Sequence, residues 1–174
     1  MHNIRLIYHS QGIFIMKKIL LVSVLSLSSS VFAADHQKVG DWLVSKEENK
    51  LTDKIDYYAI LSAKDKDVSL VLRCQNDKTE AYLSMRDYIG SGYNSKVTLR
   101  IDKEKPLTQS WGIGEGGTSL FVPKPVSLIK SLVGKKSLIS GYSPYGKTQV
   151  IAEFDLENID TIAQEISSAC NWKL

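Results

Sequence analysis

The chain has 174 residues, 43% of them hydrophobic and 9% aromatic, with 22 basic against 19 acidic side chains and a formal net charge of +3. The excess belongs to the first 33 residues, which hold Arg5, Lys17 and Lys18 and no acid, so the remainder carries 19 charges of each sign. A neutral domain with interleaved signs has no electrostatic footprint for a nucleic acid backbone or an anionic membrane surface, and both partner classes are set aside.

From Met16, "MKKILLVSVLSLSSSVFA" presents two lysines, an apolar run and a small-residue exit at Val31, Phe32 and Ala33, the order of a Sec signal peptide. A membrane span needs roughly 20 apolar residues in succession. Here Lys17 and Lys18 interrupt the run on one side and Ser26 to Ser30 dilute it on the other. Residues 1–15 add nothing a signal peptide requires, which points to Met16 as the start. Residues 1–33 are therefore expected to be a leader cleaved after Ala33, with no cysteine placed for lipid attachment. Residues 34–174 are expected to form a single β-rich domain, soluble in the periplasm and without membrane insertion, long enough to bury a core of its own.

After a short polar start, "DWLVS", "IDYYAILSA", "SLVLRCQ", "EAYLSM" and "KVTLRID" read as strands separated by turn-rich pieces such as "KDKD" and "QNDK". In "SLVLRC" the alternation places Leu70, Leu72 and Cys74 on one face and Ser69, Val71 and Arg73 on the other. Further strands are expected at "TSLFVP", "SLISGY" and "KTQVIAEFDL", the last two joined by a hairpin turn at "SPYGK". Between them, "KPVSLIKSLVGKK" carries proline at its start and Gly134 past its end, bracketing Val126, Ile129, Leu132 and Val133 as a short helix. At the C-terminus, Ile159, Ile162, Ala163, Ile166, Ala169 and Cys170 follow the spacing of an amphipathic helix. The pattern predicts a mainly β fold: an antiparallel β-sandwich or a partly open barrel with two covering helices.

Cys74 and Cys170 are the two cysteines of the chain. Both face inward in an exported protein, which predicts a disulfide tethering the C-terminal helix; two buried free thiols are the alternative.

Little in the sequence carries catalytic chemistry. Gly112, Gly114 and Gly117 satisfy the glycine spacing of dinucleotide sites, but "TSLFV" after them reads as a strand where a helix N-terminus is needed to hold the pyrophosphate. Ser143 in "GYSPYG" lacks a base, since the one histidine after the leader is His36, in residues expected to fray. With both cysteines assigned to the disulfide, no zinc or copper set remains and no cofactor is indicated. The carboxylate pairs Asp65 with Asp67 and Asp102 with Glu104 sit in charged turns beside lysines, where solvation is the simpler account than an acid and base flanking a glycosidic bond.

At "LVLRCQNDKTEAYLSM" and "SPYGKTQVIAEFDLENIDTIAQEISSACNW" the chain resembles the TagO/VasI family of type VI secretion-associated periplasmic proteins. The "GDWLVS" opening, "DYIG", a central tryptophan and the "PVSLIK" helix follow in the expected order, so the resemblance covers about Gly40 to Trp172. Its most specific parts are Arg73 with Cys74, and the terminal set Pro144, Tyr145, Gly146, Phe154, Asp155, Cys170 and Trp172. Lys147 departs from an expected acid and Glu157 from an expected serine cap, for which Asn158 or Asp155 can substitute.

The resemblance implies a non-enzymatic accessory protein of the cell envelope that works through an envelope or secretion-apparatus partner. A prophage-type or immunity-like periplasmic binding module is the second reading, and a cell-wall-active enzyme the third. A contact surface is expected near the "LRC" strand and the "SPYG" hairpin, with Arg73, Tyr82, Trp111 and Tyr145 as its candidates, although for each aromatic taken alone core packing is the plainer expectation. The plainer expectation for Arg73 is a local carboxylate such as Asp155.

Overall fold

Strand-period alternation dominates the chain, and the structure, a computed structural model, shows it as one continuous antiparallel sheet. Residues 35–65 and 67–174 are described; the expected leader and its cleavage point lie outside them. The strands are β1 (Asp35–Val39), β2 (Trp42–Asn49), β3 (Lys54–Ser62), β4 (Val68–Gln75), β5 (Lys78–Met85), β6 (Asn94–Ile101), β7 (Leu107–Ile113), β8 (Ser119–Phe121), β9 (Ser137–Tyr142) and β10 (Val150–Asp155). Two helices, α1 (Pro125–Leu132) and α2 (Ile159–Ala169), complete the described elements.

The spatial order is β1-β2-β3-β4-β5-β8-β7-β6-β9-β10. Hairpins join β1 through β5, and the second half of the sheet is laid on by pairing β8 with β5. The sheet rolls so that its β10 edge comes back toward the turn after β3. There the Lys64 N–H donates to the Glu153 carbonyl at 3.0 Å, and the Trp42 indole N–H reaches the Glu157 carbonyl at 2.9 Å. Of the two expected architectures this is the partly open barrel, since one sheet rather than two encloses the core.

The inner faces bury Trp42, Tyr57, Leu72, Leu83, Trp111, Leu120 and Phe154 with Ile129 and Leu132 of α1 and Ile162 and Ile166 of α2. α2 packs on β3 and β4, and α1 on β5. α1 begins with Pro125 at its first position, where the missing N–H costs nothing, and stops before Gly134, whose φ of 72° belongs to the left-handed region. Its buried stripe is Leu128, Ile129 and Leu132, with Val126 only half-buried.

Asn158 precedes α2 in a left-handed conformation without a side-chain cap. Its amide instead fills the space over Gly40, where a Cβ would collide with it. Asp155 accepts the Glu157 N–H at 3.1 Å just before the helix.

Cys74 and Cys170 form a disulfide across 96 positions, with their Cα atoms 5.5 Å apart. It ties the residue that ends α2 to the inner face of β4 and anchors the last turn of the chain.

Two strands were not expected. β1 is a polar edge strand, so the supposedly frayed His36 is paired opposite Ser45. In β7 the polar Gln109 stands between Leu107 and Trp111 on the inner face, and Gly112 disfavours a strand, which hid its alternation.

Candidate functional site

An apolar row runs across the outer face of the sheet. By register, Leu43 of β2 stands beside Ile60 of β3, Ile60 beside Val71 of β4, Val71 beside Tyr82 of β5, Tyr82 beside Phe121 of β8, and Phe121 beside Gly112 of β7. These positions face away from the helices, yet Val71 is only 4% exposed because its neighbours on both sides cover it. Serines flank the row on one side, with Ser62, Ser69, Ser84 and Ser119 again in direct register. On the other side lie Ser45, Tyr58, Arg73 and Glu80.

Arg73 is the hinge of this surface. Its Nε donates to Glu80 Oε2 at 2.7 Å across the β4–β5 hairpin, and its guanidinium lies 5.3 Å from the centre of the Tyr82 ring. Tyr82 in turn stacks on Phe121, with centroids 4.6 Å apart and planes inclined by 26°. The result is a preformed cation–aromatic–aromatic ladder whose rotamers are held by cross-strand neighbours.

Burial by itself would lower the Arg73 pKa, but the Glu80 hydrogen bond and the charges around it outweigh this and raise it. For Glu80 burial acts upward, while hydrogen bonds from Lys78 and Arg73 act downward and prevail, holding the carboxyl below its ordinary range. Both groups stay ionised. The Tyr58 hydroxyl is raised, by burial first and by Asp56 next. The partner of Arg73 is thus Glu80 and not Asp155, which lies 3.6 Å from Lys64.

Two of the three glycines with dinucleotide-type spacing, Gly114 and Gly117, make room for aromatic rings, while Gly112 has open space around it. A Cβ on Gly114 would collide with Ser119 and the Phe121 ring. One on Gly117, at φ 69°, would run into Tyr88. The loop makes a short 3-10 turn at Glu115–Gly117 and passes directly into β8, as the strand reading required.

The four contact candidates separate. Arg73 and Tyr82 are together. Tyr145 is 75% exposed at the β9–β10 hairpin, where its N–H donates to the Tyr88 carbonyl at 2.9 Å and its ring meets that of Tyr88 edge-on at 6.3 Å. Tyr88 follows the end of β5, so Tyr145 belongs to a second patch and not to the ladder. Trp111 is a correction: it is 0% exposed, with its indole N–H 3.1 Å from Gln109 Oε1, because position 111 falls on the inner face of the unforeseen β7. Phe121 and Glu80 were missed as site residues. Each alternates correctly within its strand, but which strand lies beside which was not readable.

The remaining candidates are structural. Asp102 Oδ1 accepts the N–H groups of Lys136 and Ser137, both at 2.9 Å, and these backbone bonds, Lys136 first, lower its pKa. Glu104 pairs with Lys135 at 2.6 Å, and Asp67 lies 3.7 Å from Arg86. Lys147, at the hairpin tip, pairs with Asp87 at 2.6 Å. Ser143 is an exposed turn residue. Among the described residues no three His, Cys, Asp or Glu side chains gather closely enough to hold a metal ion, and no helix is long and apolar enough to cross a membrane.

No family model matches the chain, and no curated protein matches it. Among solved structures it is similar to the crystal structure of invasion associated protein B from Bartonella henselae, at a TM-score of 0.53 and 13% identity, covering 78% of this chain and 96% of that one. At that identity the likeness is one of fold.

Proposed function

We propose that the chain is an exported, non-enzymatic binding module of the cell envelope, acting through a protein partner that docks on the outer sheet face. The observation that carries this reading is the ladder of Arg73, Tyr82 and Phe121. Rigid aromatics and an arginine, already held in place, bind with little loss of side-chain entropy, which is the character of interface hot spots. The flanking serines supply hydrogen-bonding groups at a rim. Support for a non-catalytic role comes from Asp67, Asp102, Glu104 and Asp155, each engaged in a turn or an ion pair, and from His36, exposed on an edge strand. The TagO/VasI resemblance supports placing the partner in a type VI secretion apparatus.

The test is capture from the periplasm of an expressing cell, together with interbacterial killing. Arg73→Ala and Tyr82→Ala, shown by melting to remain folded, are expected to lose the partner and weaken killing. Retention of every captured protein and of the killing phenotype by both variants would remove this surface from consideration. N-terminal sequencing of the periplasmic product is expected to begin at Ala34; a product that keeps Met16 overturns the export claim.

A further inference from the structure

α1 leaves part of the sheet interior uncovered. Between it and the β6–β7 hairpin opens a cleft of about 630 Å³, within the range of small-molecule sites. Its floor is apolar, formed by Leu99, Ile101, Val122 and Leu128, and Leu107 extends the apolar wall to the mouth, where it is 57% exposed. Lys105 and Lys124 stand on the lining. Neither has an acidic partner among the described residues, whereas Glu104, the acid of the cleft, is neutralised by Lys135 at 2.6 Å.

An apolar floor of this size beneath two uncommitted ammonium groups is complementary to one kind of molecule. We infer that this cleft binds a single-chain anionic amphiphile, with its hydrocarbon tail against Leu99, Ile101, Val122 and Leu128 and its carboxylate or phosphate head between Lys105 and Lys124. Burying methylenes drives entry, and the lysines choose the sign of the head. The neutral net charge of the domain fits capture of single molecules better than adhesion to a membrane surface. The cleft draws on the inner faces of β6 and β7, so its occupancy is read separately from the outer ladder.

The purified chain, disulfide intact, would be titrated with a dansyl-labelled undecanoic acid, followed by competition with three amphiphiles of the same twelve-carbon tail: laurate, lauroyl lysophosphatidic acid and dodecylamine. Saturable binding of one probe per chain is expected, displaced by both anionic competitors and weakly by the amine; a preference between the two anions identifies carboxylate or phosphate as the natural head. Lys105→Glu with Lys124→Glu, at exposed positions that leave melting unchanged, should weaken the probe on the order of tenfold. Leu107→Glu should do the same through the tail. Absence of saturable binding, equal displacement by dodecylamine, or binding indifferent to all three substitutions overturns the inference.

Discussion

Thr79 stands opposite Cys74 in the register of β4 and β5, and its hydroxyl accepts the indole N–H of Trp172 at 2.9 Å. The end of the chain is therefore held at two neighbouring points on the same hairpin, one covalent and one polar. Lys130 of α1 adds a third contact, 5.7 Å above the Trp172 ring. Both helices are thus fastened beside the end of the sheet that carries Arg73 and Glu80.

Removing the covalent point should show how much the others hold. Closing so long a loop constrains the unfolded chain by about 4 to 5 kcal/mol in the chain-entropy account. Cys170→Ser is expected to lose a few kcal/mol of that in urea denaturation, and Trp172→Phe about 1 kcal/mol for its hydrogen bond. Non-reducing mass spectrometry after alkylation should find no free thiol in the parent protein. Two alkylated cysteines would contradict the bridge.

Glu80 makes stability sensitive to acid. Its folded pKa is depressed, so the unfolded chain takes up this proton at a higher pH than the folded one. The contribution is complete above about pH 5 and fades as pH falls through the lowered native value. Urea melts between about pH 6 and about pH 3 should therefore be shallower in pH dependence for Glu80→Gln than for the parent. Identical slopes would mean that the contacts of Glu80 with Lys78 and Arg73 contribute nothing to folding.

Gly114→Ala places a methyl where the Phe121 ring and Ser119 already lie. Either the ring moves or the backbone does, at a cost of about 1 to 3 kcal/mol. The Tyr82 and Phe121 stack should loosen with it, visible as a change in near-ultraviolet circular dichroism. Gly112→Ala, where nothing lies within 4 Å of the new methyl, is the matched control and should leave the spectrum as it is.

Trp111 and Tyr145 should respond in opposite ways. Trp111→Ala empties a fully buried site in the core and is expected to cost about 3 to 5 kcal/mol. Tyr145→Ala trims an exposed ring and should stay within about 0.5 kcal/mol of the parent. Thermal or urea melts compare them directly, and a stability loss at Tyr145 equal to that at Trp111 would contradict the burial difference.

Local pattern was enough to reveal eight of the strands, both helices and the inward aim of Cys74 and Cys170, because each depends on alternation, helical spacing or end signals within a few residues. The mainly β class follows from the same short-range information, whereas the disulfide expectation also needed the cysteine count and the reading of the chain as exported. The side chain beside Arg73 is another matter: Asp155 and Glu80 were both acids on predicted strands, and only the pairing of β4 with β5 selects Glu80. The apolar row from Leu43 to Gly112 likewise depends on the insertion of β8 between β5 and β7, a long-range pairing whose order no local period encodes. Trp111 shows the limit most plainly, since the same indole is a surface anchor or a core residue according to whether Leu107–Ile113 is a loop or a strand, and its neighbours β6 and β8 decide that.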